Sequence, residues 1–336
     1  MMDLSKNLTH TLEPRFLNGA AEDPEKARWG MSAENYIKLA LRDIVRTLEE
    51  ANKALPAKAS TPFSRTDYRP ELDATPELNA EQTKYYQGLI GVLRWCIELG
   101  RVDIIHETTL LSSYLVSPRE GHMEQAFHIF AYLKKHLRSS MVFDDTLPNL
   151  DGFDFKTCDW QEQYPGAKEP IPPNVPEARG NGVAVTCYVD ASHAGCRLTR
   201  RSHTGIFLFI NRAPVVWYSK RQNTVESSMF GSEYTALRIA VDLIEALRYK
   251  LRMFGIPIDG PASVLCDNQS VVTNTSAPKS TLKKKHNSIA FYRCREAQAS
   301  KTISVAWVDT KWNLADLATK VLPGPQQKHL LGIILW

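Results

Sequence analysis

Four acidic side chains stand at the ends of predicted strands or inside predicted helices, where carboxylates can be held rigidly enough to bind metal ions. They are Asp190, Glu233, Asp267 and Asp316. Carboxylates are the hard oxygen ligands that Mg²⁺ and Mn²⁺ prefer, and two such ions about 4 Å apart can activate water and stabilise the leaving oxygen of a phosphodiester. If the four side chains converge, the sequence predicts a two-metal site suited to phosphodiester hydrolysis.

Each of the four has a simpler explanation when it is taken alone. An aspartate after a strand is more often a turn or cap residue than a ligand, and a single glutamate on a helix is usually solvated. The interpretation therefore depends on the segments that carry these residues and on how those segments are arranged.

The composition is that of an ordinary globular protein, with 336 residues, 43% hydrophobic content and a formal net charge of +4. This length predicts two domains. The six cysteines include no CxxC pair and no zinc-ligand spacing, so the sequence predicts neither a disulfide framework nor a zinc site. No stretch has the length of a signal peptide core or a membrane span, which predicts an intracellular protein, cytoplasmic or nuclear, without a membrane partner.

The first half of the chain is predicted to be mainly helical. Residues 1–30 show no clear periodicity, and no structure is assigned to them. Within residues 31–150, apolar side chains at three- and four-residue steps predict helices over about 33–54, 80–98 and 103–116, and a further helix after Ser117-Pro118. The prolines between residues 165 and 176 forbid helix interiors and central strands, so residues 151–181 are predicted to be a semi-rigid linker at a domain boundary.

Beyond the linker the apolar pattern changes to a period of two, which is typical of strands. Strands are predicted over residues 183–190, 204–210, 215–219, 262–266 and 303–308, and helices over about 225–253, 286–299 and 313–320. The prediction is an α/β fold in which a mixed five-stranded sheet of order βββαβαβα spans residues 182–325, followed by a C-terminal tail over residues 326–336.

Five segments of this second half strongly resemble the RNase H domain of copia-type LTR retrotransposon polyproteins. In chain order they are YVDASHAG, RRSHTGIFLFINRAPVVWYSKRQNTVESSMFGSEYTAL, CDNQS, KKKHNSIAFYRCRE and NLADLATK. The resemblance implies an RNase H-like fold, two Mg²⁺ or Mn²⁺ ions and hydrolysis of the RNA strand of RNA–DNA hybrids. It assigns the metal-binding and catalytic roles to Asp190, Glu233, Asp267 and Asp316.

The resemblance also implies how the carboxylates share the ions. Asp190 would bridge the two, Asp316 would share the ion that activates water, and Glu233 and Asp267 would hold the other. Members of the family often carry a second acid two positions after the first, where this chain has Ser192. We interpret that second acid as dispensable.

The helical half resembles the end of the reverse transcriptase and the connection of the same polyproteins, through YYQGLIGVLRW, GRVDI, SPREGH and IFAYLKKH. The sequence from about residue 30 resumes within a domain, which predicts a fragment of a longer polyprotein. Only Tyr188-Val189-Asp190-Ala191 partly matches the polymerase turn Tyr-x-Asp-Asp, and it lacks the second aspartate. No polymerase activity is therefore expected, and a separate polymerase segment is a predicted partner.

Basic and amide side chains near the predicted site are candidates for binding an RNA–DNA hybrid. They are Arg200, Arg201, Asn268, Gln269, Lys283, Lys284, Lys285 and His286. Cations would hold backbone phosphates, and the two amides could contact ribose 2′-hydroxyls, the group that distinguishes RNA from DNA. A loop of lysines is equally typical of a solvated surface.

Two other functions fit parts of the sequence. A catalytically silent remnant that binds nucleic acid or packs on a polymerase would also carry these motifs in a truncated chain. An integrase core shares the fold, but it uses fewer carboxylates with an acid on a late helix, and Glu233 lies on the first helix of the predicted fold.

Overall fold

The apolar stripes of the first half form helices close to their predicted bounds. The computed structural model describes residues 12–16, 27–282 and 285–335. The helices of this half are α1 (Glu34–Glu50), α2 (Ala80–Glu98), α3 (Ile105–Leu111) and α4 (Glu120–Lys135). Helix α2 matches its predicted bounds because a capping box fixes its start: Asn79 accepts from the backbone of Gln82, and the Gln82 side chain accepts from the backbone of Asn79.

A small sheet in this half was not predicted. It contains β1 (Leu12–Phe16), β2 (Ala27–Ser32) and β3 (Ser140–Phe143), which pair antiparallel in that order. Residues 12–16 and 27–30 therefore correct the assignment of no structure to residues 1–30, whose remaining positions lie outside the described residues. The local pattern failed because β2 pairs with β3 across more than a hundred residues, and such pairing leaves no local period.

The second half contains the predicted mixed sheet of five strands. They are β4 (Val185–Ser192), β5 (His203–Ile210), β6 (Ala213–Arg221), β7 (Ala262–Cys266) and β8 (Ile303–Trp307). The spatial order is β6-β5-β4-β7-β8, with antiparallel pairing from β4 to β6 and parallel pairing from β4 through β7 to β8. This order confirms the α/β fold with an RNase H-like mixed sheet.

The helices between these strands differ from the prediction in two places. They are α5 (Met229–Met253), α6 (Gln269–Ser276) and α7 (Ser288–Ala299), followed by a 3₁₀ helix at Leu314–Ala318 and by α8 (Gly324–Leu331). Helix α6 is additional, so the order is βββαβααβ before the 3₁₀ turn. Its β-branched residues weaken the helical signal, and its first turn is held by an Asn268 cap.

The proline-rich segment is attached to the second half by a partly buried carboxylate. No helix or strand is assigned within residues 151–181. Glu169 accepts paired hydrogen bonds of 2.6–2.8 Å from Arg248 and Arg252 of α5. Burial alone would raise the pKa of Glu169, but the hydrogen bonds from Arg248 and Arg252 lower it to about 2. The segment predicted to be a linker is therefore bound to α5 through Glu169.

The sheet is covered on both faces, and one of the cores that pack on it is shared with the helical half. Alternate side chains of β4, at Val185, Cys187 and Val189, are buried in a core with side chains of α5 and α7. On the opposite face, Phe207 and Phe209 of β5 belong to the core that the helices of the first half build. Residues 326–336, predicted to be a tail, contribute to that shared core through Leu330 and Ile334.

Candidate active site

Two of the four carboxylates are placed side by side by the register of the parallel strands. Val189 of β4 is paired with Cys266 of β7, so the residues that follow, Asp190 and Asp267, lie at the same edge of the sheet. The Asp190 side chain is buried and that of Asp267 is partly exposed. The carboxyl ends of parallel strands commonly carry functional side chains for this reason.

Glu233 reaches the same edge from the second turn of α5. Ser228 caps this helix by accepting a hydrogen bond of 3.2 Å from the backbone N–H of Gly231, which fixes where the first turn begins. Glu233 is buried and is hydrogen-bonded to the backbone of Ala191 on β4.

Asp316 lies on the 3₁₀ helix, and hydrogen bonds hold the start of this helix against the sheet. Asn313 caps it by accepting from the Ala315 N–H at 3.2 Å and donates to the Val189 carbonyl at 3.1 Å. Gly205, the β5 partner of Asp190, allows the close approach, because a Cβ there would lie 2.6 Å from the Ala315 carbonyl oxygen. The absence of a side chain at Gly205 thus lets Asp316 reach Asp190.

The structure therefore brings all four predicted carboxylates to one place. Ligand atoms of Asp190, Asp267 and Asp316 lie within 4.8 Å of one another, and so do those of Glu233, Cys266 and Asp267. Asp267 belongs to both groups, whereas the family resemblance gives the bridging role to Asp190. The allocation of each carboxylate to one ion stays a prediction.

The acidic side chains of this cluster lie close to one another and are largely buried, and both conditions shift their pKa values. Burial, followed by the charges of Asp190 and Asp267, raises the pKa of Glu233 well above its usual range. Burial and the neighbouring Asp190 raise the pKa of Asp316 to about 7. Burial also raises the pKa of Asp190, although the ammonium of Lys320 opposes the shift. Such a cluster favours the binding of cations.

Sequence reasoning missed two side chains that contact this cluster. Lys320 Nζ lies 2.6 Å from Asp316 Oδ1 and 3.5 Å from Asp190 Oδ2, and Thr319 donates a hydrogen bond to Asp190. A signal was present, because Lys320 follows Asp316 by four residues and a pair at this spacing shares a helical face. Lys320 supplies a positive charge among the carboxylates.

Asp267 is oriented by groups at the end of β8 and just beyond it. Thr310 donates to Asp267 Oδ2 at 2.9 Å, and the indole N–H of Trp307 donates to the Asp267 carbonyl at 3.0 Å. The family's frequent second acid is replaced by Ser192, whose hydroxyl accepts from the His203 N–H at 3.0 Å. Ser192 therefore holds β4 and β5 together at the edge where the site lies.

The donor set fits divalent ions that prefer oxygen. Glu233 Oε2 and Asp316 Oδ2 are buried and have no hydrogen-bond partner among the described residues. Buried polar atoms in native proteins are normally paired, so these two oxygens are available to a ligand. The nearby Cys266 is a poor match for Mg²⁺, because burial raises the pKa of its thiol well above the usual range and sulfur is a soft donor.

The residues predicted to contact nucleic acid differ in their exposure. Arg200 and Gln269 are exposed and Arg201 is partly exposed, whereas Asn268 uses its side-chain oxygen to cap α6 at 3.1 and 3.2 Å. Lys285 and His286 are exposed near the start of α7. Lys283 and Lys284 lie outside the described residues. The roles of all eight in binding stay predictions.

The comparisons with known proteins agree with the sequence resemblance. No family model matches the chain. It is 24% identical over 296 residues to the retrovirus-related Pol polyprotein from transposon TNT 1-94 of Nicotiana tabacum, covering 87% of this chain and 19% of that protein. It is also 24% identical over 281 residues to the Pol polyprotein from transposon RE1 of Arabidopsis thaliana, covering 84% and 17%. The chain thus spans about a fifth of the length of these relatives.

Solved structures with local similarity include the N-terminal RNase H domain of a Mycobacterium tuberculosis protein, at 15% identity and a TM-score of 0.32, covering 45% of this chain and 98% of that one. Another is the foamy viral protease-reverse transcriptase in complex with an RNA/DNA hybrid, at 17% identity and a TM-score of 0.29, covering 60% and 26%. The fold assignment rests on the strand order of the sheet and not on these overall superpositions.

Among the described helices, none combines the length and the apolar character that crossing a bilayer requires. By sequence, this chain is a relative, over most of its length, of the Pol polyproteins of copia-type retrotransposons.

Proposed function

We propose that this chain hydrolyses the RNA strand of RNA–DNA hybrids with the help of two divalent ions, Mg²⁺ or Mn²⁺. The observation that carries the proposal is the convergence of four carboxylates from four separate elements, with two buried oxygens that lack hydrogen-bond partners among the described residues. The relationship to retrotransposon Pol polyproteins supports the hybrid as the substrate.

The four carboxylates would hold the ions, which when bound lower the pKa of water and stabilise the leaving oxygen. The protein's own contribution is rigid placement. Asp190 and Asp267 are fixed by strand register, Glu233 by the capped start of α5, and Asp316 by the 3₁₀ helix over Gly205. Fixed ligands need little reorganisation when the substrate arrives.

Recognition of the RNA strand requires a group that contacts the ribose 2′-hydroxyl. Gln269 is exposed two residues after Asp267, while the side-chain oxygen of Asn268 is already engaged in capping α6. We therefore favour Gln269 for the 2′-hydroxyl contact, with Arg200, Arg201 and the basic segment before α7 holding phosphates.

The test is cleavage of an end-labelled RNA–DNA hybrid by protein purified from a host that lacks its own RNase H. Wild type with Mg²⁺ is expected to cut the RNA strand and leave the DNA intact. Asp190→Asn should lose about two orders of magnitude in rate or more, because it removes a metal ligand. Asp242→Asn, which removes an acid from the exposed surface of α5, is the matched control and should retain activity.

Hybrid binding without cleavage by the wild type would contradict the proposal and favour a silent nucleic-acid-binding remnant. Equal cleavage by wild type and Asp190→Asn would point to a contaminating nuclease. The polymerase motif is incomplete in this chain, so we expect no DNA synthesis from it, and a polymerase segment would be a separate partner.

A further inference from the structure

A cavity of about 220 Å³ lies between the helical half and the sheet, next to the carboxylate cluster. The helical half contributes Arg69 and His106 to its walls, and the second half contributes His203, Arg221 and Lys320. Water occupies about 30 Å³ per molecule in the liquid, so this volume corresponds to roughly seven waters, which is room for a phosphate group and part of its sugar.

The two arginines of the cavity have no carboxylate partner in the described part of the chain, whereas Lys320 is paired with Asp316 and Asp190. Among the described residues, neither Arg69 nor Arg221 forms a salt bridge, and Arg69 donates only to the carbonyls of Thr66 and Tyr68. Glu71 is the carboxylate among the lining residues, and it accepts from the Arg197 N–H at 2.9 Å. An arginine without a carboxylate partner is well suited to bind an anion such as phosphate.

Two buried histidines give a second and independent indication of a ligand. His106 and His203 are 4% and 3% exposed, and their rings meet edge to face with centroids 5.2 Å apart. His106 Nδ1 and His203 Nε2 are buried without a hydrogen-bond partner in the described part of the chain. Both residues line the cavity, so buried polar atoms without a hydrogen-bond partner in the described part of the chain lie in its wall.

Two residues connect the cavity to the carboxylates. Thr319 and Lys320 line it and also contact Asp190. A nucleic acid whose scissile phosphate lies at the carboxylates would bring another of its phosphates close to this opening, because the phosphates of one strand follow each other at about 3.4 Å of helix rise.

We propose that the cavity between the helical half and the sheet binds a backbone phosphate of the nucleic acid, held by Arg69 from one side and Arg221 from the other. The inference deepens the proposed function and rests on it for the identity of the nucleic acid. It gives the helical half a direct part in holding the substrate.

The experiment measures binding of a labelled RNA–DNA hybrid in EDTA, where no metal-dependent cleavage occurs, over a range of KCl concentrations. Arg69→Gln and Arg221→Gln should each bind about tenfold more weakly and show a salt slope smaller by about one unit. Arg221→Lys should keep most of the slope, because the charge remains. Arg94→Gln, at an exposed position on α2 outside the cavity, is the matched control and should bind like the wild type. Thermal unfolding in the same buffer checks that each variant is folded.

A scan of hybrids carrying one neutral methylphosphonate at a time locates the contact. The wild type should lose about tenfold in affinity at one position besides the scissile one, and Arg221→Gln should be insensitive at that position. Salt slopes of the Arg69 and Arg221 variants equal to that of the Arg94 control would overturn the proposal. If inorganic phosphate stabilises wild type but not Arg221→Gln while the scan stays flat, the site takes a free phosphate, and the backbone assignment is wrong.

These results separate the two proposals. A wild type that shows the predicted binding pattern but never cleaves with Mg²⁺ would remove the proposed function and leave the cavity assignment standing. A wild type that cleaves, with cavity variants that bind normally, would remove the cavity assignment alone.

Discussion

At the scale of residues, the site is defined as much by Lys320 as by the four acids. Its ammonium contacts Asp316 and Asp190. The side chain is 37% exposed, so the ammonium can move away from the carboxylates into solvent. A divalent ion and an ammonium compete for the same carboxylate oxygens. We therefore expect Lys320 to stabilise the metal-free protein and to oppose the binding of a first metal ion.

Replacing Lys320 by methionine tests this competition. We expect Lys320→Met to lower the free energy of unfolding in EDTA by about 2 kcal/mol, less than for a fully buried pair because Lys320 is partly exposed. The affinity for Mn²⁺, measured by calorimetry, should rise in the variant. Lys311→Met, at an exposed lysine paired with Asp309 at 3.4 Å, is the control and should change neither quantity. Unchanged Mn²⁺ affinity in Lys320→Met would show that the lysine does not compete.

The raised pKa of Asp316 predicts how stability depends on pH. Its folded-state pKa of about 7 lies above the usual value of 3.8, so the folded protein holds this proton more tightly than the unfolded chain. The resulting stabilisation is complete below about pH 4 and is lost as the pH rises through about 7. In EDTA, Asp316→Asn should therefore gain stability relative to wild type between these pH values, as followed by urea unfolding. A difference that stays constant with pH would contradict the raised pKa.

At the scale of elements, the close contact between the 3₁₀ helix and β5 depends on Gly205. A Cβ at this position would also lie 2.7 Å from Thr319 Cγ2 and 3.0 Å from Ala318 Cβ. Contacts this short with backbone and packed side chains require the elements to move apart. Because Asp316 and Thr319 are on the moving segment, the geometry of the carboxylates would change with it.

Gly205→Ala is expected to cost about 1–3 kcal/mol of stability and to weaken Mn²⁺ binding, although it changes no ligand. Gly88→Ala is the matched control, because nothing lies within 4 Å of a Cβ there and the position is exposed on α2. The control should leave Mn²⁺ affinity unchanged and raise stability by up to about 1 kcal/mol. Normal Mn²⁺ affinity in Gly205→Ala would show that the 3₁₀ helix tolerates the extra methyl group.

Helix α8 fastens the end of the described chain to the helical half. Leu330 is fully buried, and the Gln327 side chain donates a hydrogen bond of 3.1 Å to the backbone carbonyl of Asp103. The carboxylate of Asp103 is in turn paired with the buried Arg101. Leu330→Ala should therefore lower the free energy of unfolding by about 3 kcal/mol, measured with urea. Ile333→Ala, at a side chain that is 47% exposed, should cost less than about 0.5 kcal/mol. Equal small losses in both variants would mean that α8 is not part of the core.

At the scale of the whole molecule, the helical half and the sheet share one hydrophobic core. Phe207, Phe209, Leu314 and Leu317 of the second half pack with the side chains of the helices in the first. Separating the halves would expose this apolar face, and large exposed apolar patches promote association. The two halves are therefore expected to depend on each other for stability.

In residues 182–325 produced alone, β5 should be less protected against hydrogen exchange than in the full chain. Mass spectrometry is the measurement, and β5 is the strand to follow because it carries Phe207 and Phe209. Exchange in α7, which lies on the opposite face of the sheet, serves as the internal comparison. Equal protection of β5 in both proteins would show that the sheet is stable without the helical half.

The sequence alone was sufficient for the elements that have a local signal. Helix α2 and strand β7 were predicted at their observed bounds, because their signals are local. A capping box marks the start of α2, and a short apolar run marks β7. The four carboxylates could be identified for the same reason, since each ends or follows a predicted strand or lies on a predicted helix.

Only the tertiary structure decided which groups meet. The pairing of β2 with β3, the core shared by the two halves, the approach of the 3₁₀ helix over Gly205 and the cavity between Arg69 and Arg221 all join residues far apart in the chain. Local propensity and periodicity cannot report such contacts, because they arise from burial and steric fit between distant segments. The sequence therefore determined the candidate ligands of the site, and the packing of the whole chain decided what surrounds them.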